Sequence, residues 1–332
     1  MNISITSLII SSNNRIDYLR ENIASLIKFK TDIFVVVNGE NKQITDFLTA
    51  TAKNYSCINF IILKEQINKS DARNMGIEQI NSEYIYFLDD DTFIDRNNIE
   101  IITQKLTKYP FIGVIGGPNL TPSLSLRFQK LTGFLLSSFC ISYKMNARYF
   151  QKGKDRLTDD TELILCNLVI KKDLFIKYNL KFNKLLHYNE ENLLLEQLKE
   201  HNVEMLYTPD LVVYHHRRKT LKNFLQQIYD SGKGRGLMSV MQPSSIKVFF
   251  LFPTLFILYL ITVCFGKMTL VLLNIYLLFI LFNTLVIFFT YKLKLLDLAM
   301  IFITAILSHL TYGYGFFIGI SRGLLWKLKN IF

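Results

Sequence analysis

Three consecutive aspartates, Asp89, Asp90 and Asp91, follow directly on the apolar run Tyr84-Ile85-Tyr86-Phe87-Leu88. Carboxylates this close repel, and each has to be solvated or neutralised. A divalent cation neutralises several at once. Side chains at i and i+2 leave a strand on the same side, so Asp89 and Asp91 are placed to face one ion. Hard oxygen donors select Mg²⁺ or Mn²⁺, ions usually shared with substrate phosphates. A solvated turn is the competing reading of the triplet, with Asp95 capping a helix over residues 96–108.

The residues upstream weigh against a mere turn. Asp71-Ala72-Arg73-Asn74-Met75-Gly76-Ile77 precedes the apolar run, and Ser82-Glu83 leads into it. This string resembles the donor-binding half of family 2 glycosyltransferases, where an A-R-N-x-G helix precedes a strand ending in D-x-D. Further stretches carry the resemblance through roughly residues 1–236: Cys166-Asn167, the pair Glu190-Glu191 before a leucine-rich helix, and Tyr207-Thr208-Pro209 leading to His215-His216.

The resemblance implies an α/β, GT-A-like (Rossmann-like) domain with a mostly parallel sheet flanked by helices. It implies a nucleotide-sugar donor, UDP-sugar first, held with Mg²⁺ or Mn²⁺. Ser11, Asn14, Asn38, Arg73, Asp89 and Asp90 would form the nucleotide site. Asp91, Asp89 and either His215 or His216 would meet the metal. Glu190 and Glu191 would be the catalytic pair, with Glu191 as base. A sugar hydroxyl is a poor nucleophile at neutral pH, and a positioned carboxylate accepts its proton as the bond forms. One base opposite the leaving group means a single displacement with inversion. There are departures: the first strand ends Ile10-Ser11-Ser12-Asn13-Asn14-Arg15, and the second Val36-Val37-Asn38-Gly39-Glu40. Val37 stands where an aspartate is expected to contact the base, which opens GDP and dTDP beside UDP. The Q-x-x-R-W signature of processive synthases is absent, which favours adding one or a few sugars.

The elements that must position these residues alternate. Strands are predicted over 3–10, 32–37, 58–63, 84–88 and 111–117. Helices follow from about 16, over 41–54, over 70–80 with Ser70 as cap, and from about 187 to 200. Alternation implies a parallel sheet covered on both faces, with ligands beyond the carboxyl ends of its strands. Residues 118–160 read either as a long loop with one core helix or as an acceptor-side insertion.

Beyond about residue 240 the composition changes. The chain is 50% hydrophobic with a mean hydropathy of +0.23, too apolar for an ordinary soluble domain. The excess lies in residues 248–265, 268–291 and 295–320, each near the roughly 20 residues a helix needs to cross a bilayer. The expected organisation is a glycosyltransferase domain over 1–240 and a membrane region over 246–325 with two to three transmembrane helices. Within the first, 1–117 is the donor half, 118–216 the acceptor half and 217–240 a basic juxtamembrane helix. No signal peptide is expected, because residues 3–10 are short and lack a basic flank. The four cysteines show no paired spacing, which fits a reducing cytosol.

The formal net charge is +11, and much of it gathers before the first apolar stretch, at Arg217, Arg218, Lys219, Lys222, Lys233, Arg235 and Lys247. Such clusters mark the cytoplasmic face and bind anionic membrane lipids. Nucleic acid is not expected as a partner, since the bases abut apolar helices rather than stacking strands. The reading is therefore a multi-pass cell-membrane enzyme with a cytoplasmic catalytic domain. It would transfer sugar to a lipid-linked or membrane-proximal glycan acceptor in cell-surface polysaccharide or glycolipid synthesis. The rival is a catalytically inactive nucleotide-sugar-binding membrane scaffold.

Overall fold

The computed structural model describes residues 3–11, 15–266 and 269–329. In chain order the first half forms β1 (Ile5–Ser11), α1 (Ile16–Ile27), β2 (Asp32–Val37), α2 (Lys42–Asn54), β3 (Ile58–Ile62), α3 (Lys69–Gln79), β4 (Tyr84–Asp89), β5 (Thr92–Phe93), α4 (Asn98–Lys108), β6 (Val114–Gly116) and β7 (Asn119–Leu120). There follow α5 (Arg127–Leu136), α6 (Phe139–Ser142), β8 (Arg156–Leu157), β9 (Leu168–Lys171), α7 (Asp173–Lys177), α8 (Glu190–Glu200), β10 (Met205–Tyr207) and β11 (Val213–His215). The chain ends in α9 (Leu221–Met241), α10 (Phe252–Cys264), α11 (Val271–Thr290) and α12 (Leu295–Lys329).

Two compact units result, one of residues Met1–Pro122 and Ala147–His216, the other of Ser123–Asn146 and Arg217–Phe332. Residues 123–146 and 217–240 group with the C-terminal helices.

In the α/β unit, strands run in the order β3-β2-β1-β4-β9-β6-β10-β8. Both faces are buried, as expected of near-continuous apolar strands. Period-two alternation divides them: Leu8, Val36, Ile85 and Phe87 enter one core, while Ile9, Val35, Tyr86 and Leu88 enter the other. Parallel pairing of β1 with β2 and β4 sets Ser11 opposite Val37 and Ile10 opposite Asp89. Three strand ends thus share one edge. Gly76 allows α3 to lie close on the sheet, since a Cβ there would come within 2.6 Å of Leu8 Cδ1.

Two local expectations shift. Helix α3 is capped by Asn68, whose side chain accepts from Ser70 N, and not by Ser70. Helix α4 is capped by Asn97 and starts at Asn98, because Asp95 instead takes the Tyr214 hydroxyl at 3.0 Å. The sheet also departs from purely parallel: β9 runs antiparallel between β4 and β6, and β8 antiparallel beside β10.

In the helical unit, α9 and α12 are in near backbone contact. A Cβ on Gly236 would lie 2.1 Å from Phe316 O, and one on Gly319 would lie 2.1 Å from Lys233 O. Gly232 and Gly315 show the same at 2.3 Å, against Tyr312 O and Tyr229 O. No rotamer change relieves a clash with backbone. Gly236→Leu is therefore expected to part the two helices and destabilise the unit by about 3 kcal/mol or more. Thermal unfolding and limited proteolysis of α9 in detergent check this; an unchanged variant would contradict the packing.

The stretch 248–265 yields only the short helix α10. Helices α11 and α12 are long and apolar enough to cross a membrane, by length and composition. Asp297, buried near the start of α12, accepts from Arg127 Nε at 2.6 Å. Of the basic residues expected to lie against lipid, Arg217 and Arg235 are buried, and Arg235 sits 4.4 Å over the Phe250 ring. Lys219 and Lys222 are exposed.

Candidate active site

The aspartate triplet sits where the shared strand edge turns. β4 ends at Asp89, and Asp90-Asp91 is the turn into β5. Side-chain alternation stops at Asp89, so the convergence of Asp89 and Asp91 is achieved by the turn. Buried side chains hold that turn: Asn22 Nδ2 donates to Asp89 O at 2.8 Å, and Thr92 Oγ1 to the same carbonyl at 2.8 Å. β11 then pairs antiparallel with β5, setting His215 opposite Thr92. This brings His215 Nε2 to 3.2 Å from Asp91 Oδ1.

Asp89, Asp91 and His215 each offer a ligand atom, all within 4.8 Å of one another. Ligands at ~2.1 Å around one octahedral ion are ~3 to 4 Å apart, so the set fits a cation after a small contraction. The two carboxylates supply the hard oxygen donors that Mg²⁺ and Mn²⁺ both accept, with one imidazole beside them.

His216 is directed elsewhere. Its Nε2 lies 2.7 Å from Glu21 Oε2, and its ring packs 4.6 Å from that of Tyr18. Only His215 turns its ring to the aspartates; His216 meets them through its backbone N–H, which donates to Asp91 O at 3.1 Å. Asn38 is also engaged: its amide donates to Ile67 O and accepts from Ile67 N, both at 2.9 Å. These two bonds tie the end of β2 to the loop before α3 and use one amide N–H and one oxygen lone pair of the side chain. Ser11 lies buried at the end of β1, with no hydrogen bond to Oγ among the described residues. Asn14 lies outside the described residues.

Arg15, Asn22 and Arg148 were not singled out from sequence. Arg15 pairs with Asp90 Oδ1 at 3.1 Å and with Asp91 Oδ2. Burial works against its charge, but Asp91, Asp90 and Asp89 together outweigh that and raise its pKa. Its position just past the polar end of β1 was the available signal. Arg148 is buried and donates through Nε to Thr161 O at 2.8 Å and through Nη2 to Asp160 O. Asn192 Nδ2 also donates to Asp160 O, at 3.0 Å, which ties this loop to α8. No spacing in the sequence announces that arrangement.

The acidic pair opens α8 after Asn189, which takes the left-handed conformation at φ 64. Glu190 Oε1 accepts from Arg73 Nη1 at 2.7 Å, and Arg73 Nη2 lies 3.9 Å from Asp89 Oδ1. One guanidinium therefore spans the strand end and the helix start, over the Phe182 ring at 5.6 Å. Glu191 is 8% exposed, and its carboxylate takes no hydrogen bond from any described residue. Of the two acids, Glu190 is committed to Arg73 and Glu191 is free to accept.

Burial pushes the Glu190 carboxyl from 4.5 up to about 7; Arg73 opposes this, and Glu191 and Asp89 add to it. The folded protein then holds this proton more tightly than the unfolded chain does. Stability falls as pH rises from about 4.5 to about 7 and is flat above that. Glu190→Gln is expected to remove that slope, so that the melting temperature changes less between pH 5 and pH 7.5 than in the wild type. A slope of the same size in the variant would assign the effect to another group.

The model of the family described as glycosyl transferase family 2 matches residues 7–178. Curated relatives include a poly-beta-1,6-N-acetyl-D-glucosamine synthase of Staphylococcus aureus strain MSSA476, 24% identical over 32% of this chain and 26% of its own length. The synthase of Staphylococcus epidermidis is 24% identical over 33% of this chain and 27% of its own. The matched part thus spans about a quarter of these relatives. Among solved structures, a mannosyltransferase from Pyrobaculum calidifontis in complex with GDP-Man and Mn²⁺ superposes with a TM-score of 0.54, at 10% identity over 73% of this chain and 64% of that one. GalNAc-T7 with UDP, GalNAc and Mn²⁺ gives 0.50, at 14% identity over 73% and 51%. These likenesses establish a GT-A-like fold, and the family match covers helix α3, which carries Arg73, and the end of β4 with the turn that carries the aspartate triplet: the chain belongs to glycosyl transferase family 2.

Proposed function

We propose that this glycosyltransferase moves a hexose from a nucleotide-diphosphate sugar to a lipid-linked or membrane-proximal glycan acceptor, with inversion, in cell-surface polysaccharide or glycolipid synthesis. The observation that carries the proposal is the Arg73 bridge between Asp89 and Glu190. It joins the aspartate turn and the acidic helix start at one edge of the sheet.

Asp89, Asp91 and His215 would hold Mn²⁺ or Mg²⁺. Bound there, the ion would offset charge on the departing diphosphate. Arg15 and Arg73 bring two guanidinium groups to the same edge, which suits phosphate oxygens. Arg73 also fixes Glu190, and through it the first turn of α8. Glu191, adjacent and without a hydrogen-bond partner among the described residues, takes the proton of the acceptor hydroxyl. Val37 is buried in β2 and offers the base no hydrogen bond. Selection among nucleotides therefore falls to the loop after β1 and to Asn38's neighbours. UDP-sugars are the first donors to test, with UDP-N-acetylglucosamine foremost, given the activity named in the curated relatives.

The helical unit would anchor the enzyme in the cell membrane through α11 and α12, with Lys219 and Lys222 toward anionic lipid. The catalytic unit would face the cytoplasm, where nucleotide sugars are made. The test is release of nucleoside diphosphate by the purified full chain across a donor panel. Turnover should require Mn²⁺ or Mg²⁺, stop with EDTA and return on adding metal. Metal-independent release, or binding without release for every donor and acceptor tried, would overturn the proposal.

A further inference from the structure

The cation set draws its ligands from two segments far apart in the chain, the turn at Asp89 and Asp91 and the end of β11 at His215. The strands that join these segments are short. β5 and β11 pair at only two positions, Phe93 with Tyr214 and Thr92 with His215. On the other side β7 pairs with Val213 and Tyr214 and stops short of His215. So brief a ladder frays at its ends. Metal–ligand distances, by contrast, hold to about ±0.2 Å. A further hold on His215 is needed.

Helix α1 supplies it. Asn22 Nδ2 donates to Asp89 O at 2.8 Å, and Ser25 Oγ accepts from Ile94 N at 3.1 Å, so the aspartate turn is fastened to α1 on both sides. Glu21, the residue before Asn22, reaches the other segment: its Oε2 lies 2.7 Å from His216 Nε2. The His216 ring also packs on Tyr18 of the same helix at 4.6 Å and on Phe93 of β5 at 5.6 Å. A ring held at its tip and on its faces holds its own backbone, and that backbone N–H donates to Asp91 O at 3.1 Å. This bond is one rung beyond the ladder. It starts on the neighbour of one ligand and ends on the other.

We propose that Glu21 and His216 are positioning residues of the cation site. The carboxylate fixes the His216 ring against α1, and the fixed residue keeps Asp91 and His215 at ligand distance. Partners of this kind, outside the ligand set, orient the ligands and tune affinity for the ion. The inference rests on the cation site proposed above and adds to it two residues that are not themselves ligands. Glu21 is exposed and lies off the buried face of α1 formed by Leu19, Asn22, Ile23 and Leu26, so its removal opens no cavity.

The experiment titrates Mn²⁺ alone into the purified full chain. Electron paramagnetic resonance counts the free ion, and electron spin echo modulation reports the imidazole nitrogen on the bound one. Glu21→Ala and His216→Ala should each lower Mn²⁺ affinity by about ten-fold while the nitrogen signal persists. The melting temperature of metal-free Glu21→Ala should stay within about 2 °C of wild type. Glu21→Gln should keep wild-type affinity, because its amide oxygen still accepts from the ring N–H. His215→Ala, which deletes the ligand, should cost more affinity and lose the nitrogen signal. Wild-type affinity in Glu21→Ala or His216→Ala would overturn the inference while the cation site stands. So would a Glu21→Gln as weak as Glu21→Ala, which would make the effect one of charge, or a melting temperature that falls in step with affinity. Loss of the nitrogen signal in His216→Ala and not in His215→Ala would make His216 the ligand. No Mn²⁺ binding by the wild type would bring down the cation site and this inference with it.

Discussion

Glu191→Gln is expected to lower sugar transfer by about 10²- to 10⁴-fold, the usual contribution of a general base. Glutamine keeps the size and hydrogen-bonding capacity of the side chain but cannot take a proton. No described residue donates to the Glu191 carboxylate, so the substitution breaks no internal bond, and the melting temperature should hold. Donor affinity should hold too, because the loss lies in the transition state and not in ground-state binding. Steady-state kinetics beside a donor-binding titration separate the two. A variant that transfers at the wild-type rate would leave the acidic pair as no more than a complement to the helix dipole. Glu190→Gln is a useful contrast: its partner is Arg73, and its effect should fall on the pH dependence of stability.

Asp91→Asn should be nearly as severe, through the cation. Asp91 touches both His215 and Arg15 and is almost fully buried. Asparagine preserves the shape but removes the charge that a hard cation needs. Mn²⁺ affinity should drop by about 10- to 100-fold or more, with transfer falling alongside it. Asp90→Asn removes a carboxylate that pairs with Arg15 and lies outside the converging set, so its effect on Mn²⁺ should be much smaller. Mn²⁺ binding followed by electron paramagnetic resonance distinguishes the two. Equal, slight effects in both variants would remove the cation from Asp91.

Much of this site was legible because its parts are local. Alternating apolar runs and helical spacing located β1 to β4 and α1 to α3 within a residue or two at most ends. The chemistry-bearing strings lie at the ends of those elements, where polar residues in an apolar pattern stand out. Adjacent alternatives were less tractable. Ser70 and Asn68 are both good caps, as are Asp95 and Asn97, and the choice turned on which side chain another residue claimed. His215 and His216 are the same residue type one position apart, so only the pairing of β11 with β5 separates them.

By itself the sequence determined which residues can do chemistry and that a soluble-type α/β region precedes apolar helices, because residue type, period and hydropathy are properties of short windows. Only the tertiary structure decided which groups meet. The Arg73 bridge from Asp89 to Glu190, the hold of Arg15 on Asp90 and Asp91, the diversion of Asn38 to Ile67, and the antiparallel β9 within a mostly parallel sheet all join segments far apart in the chain. Such contacts form where the burial of both sheet faces brings strand ends together, and no window of sequence contains both partners.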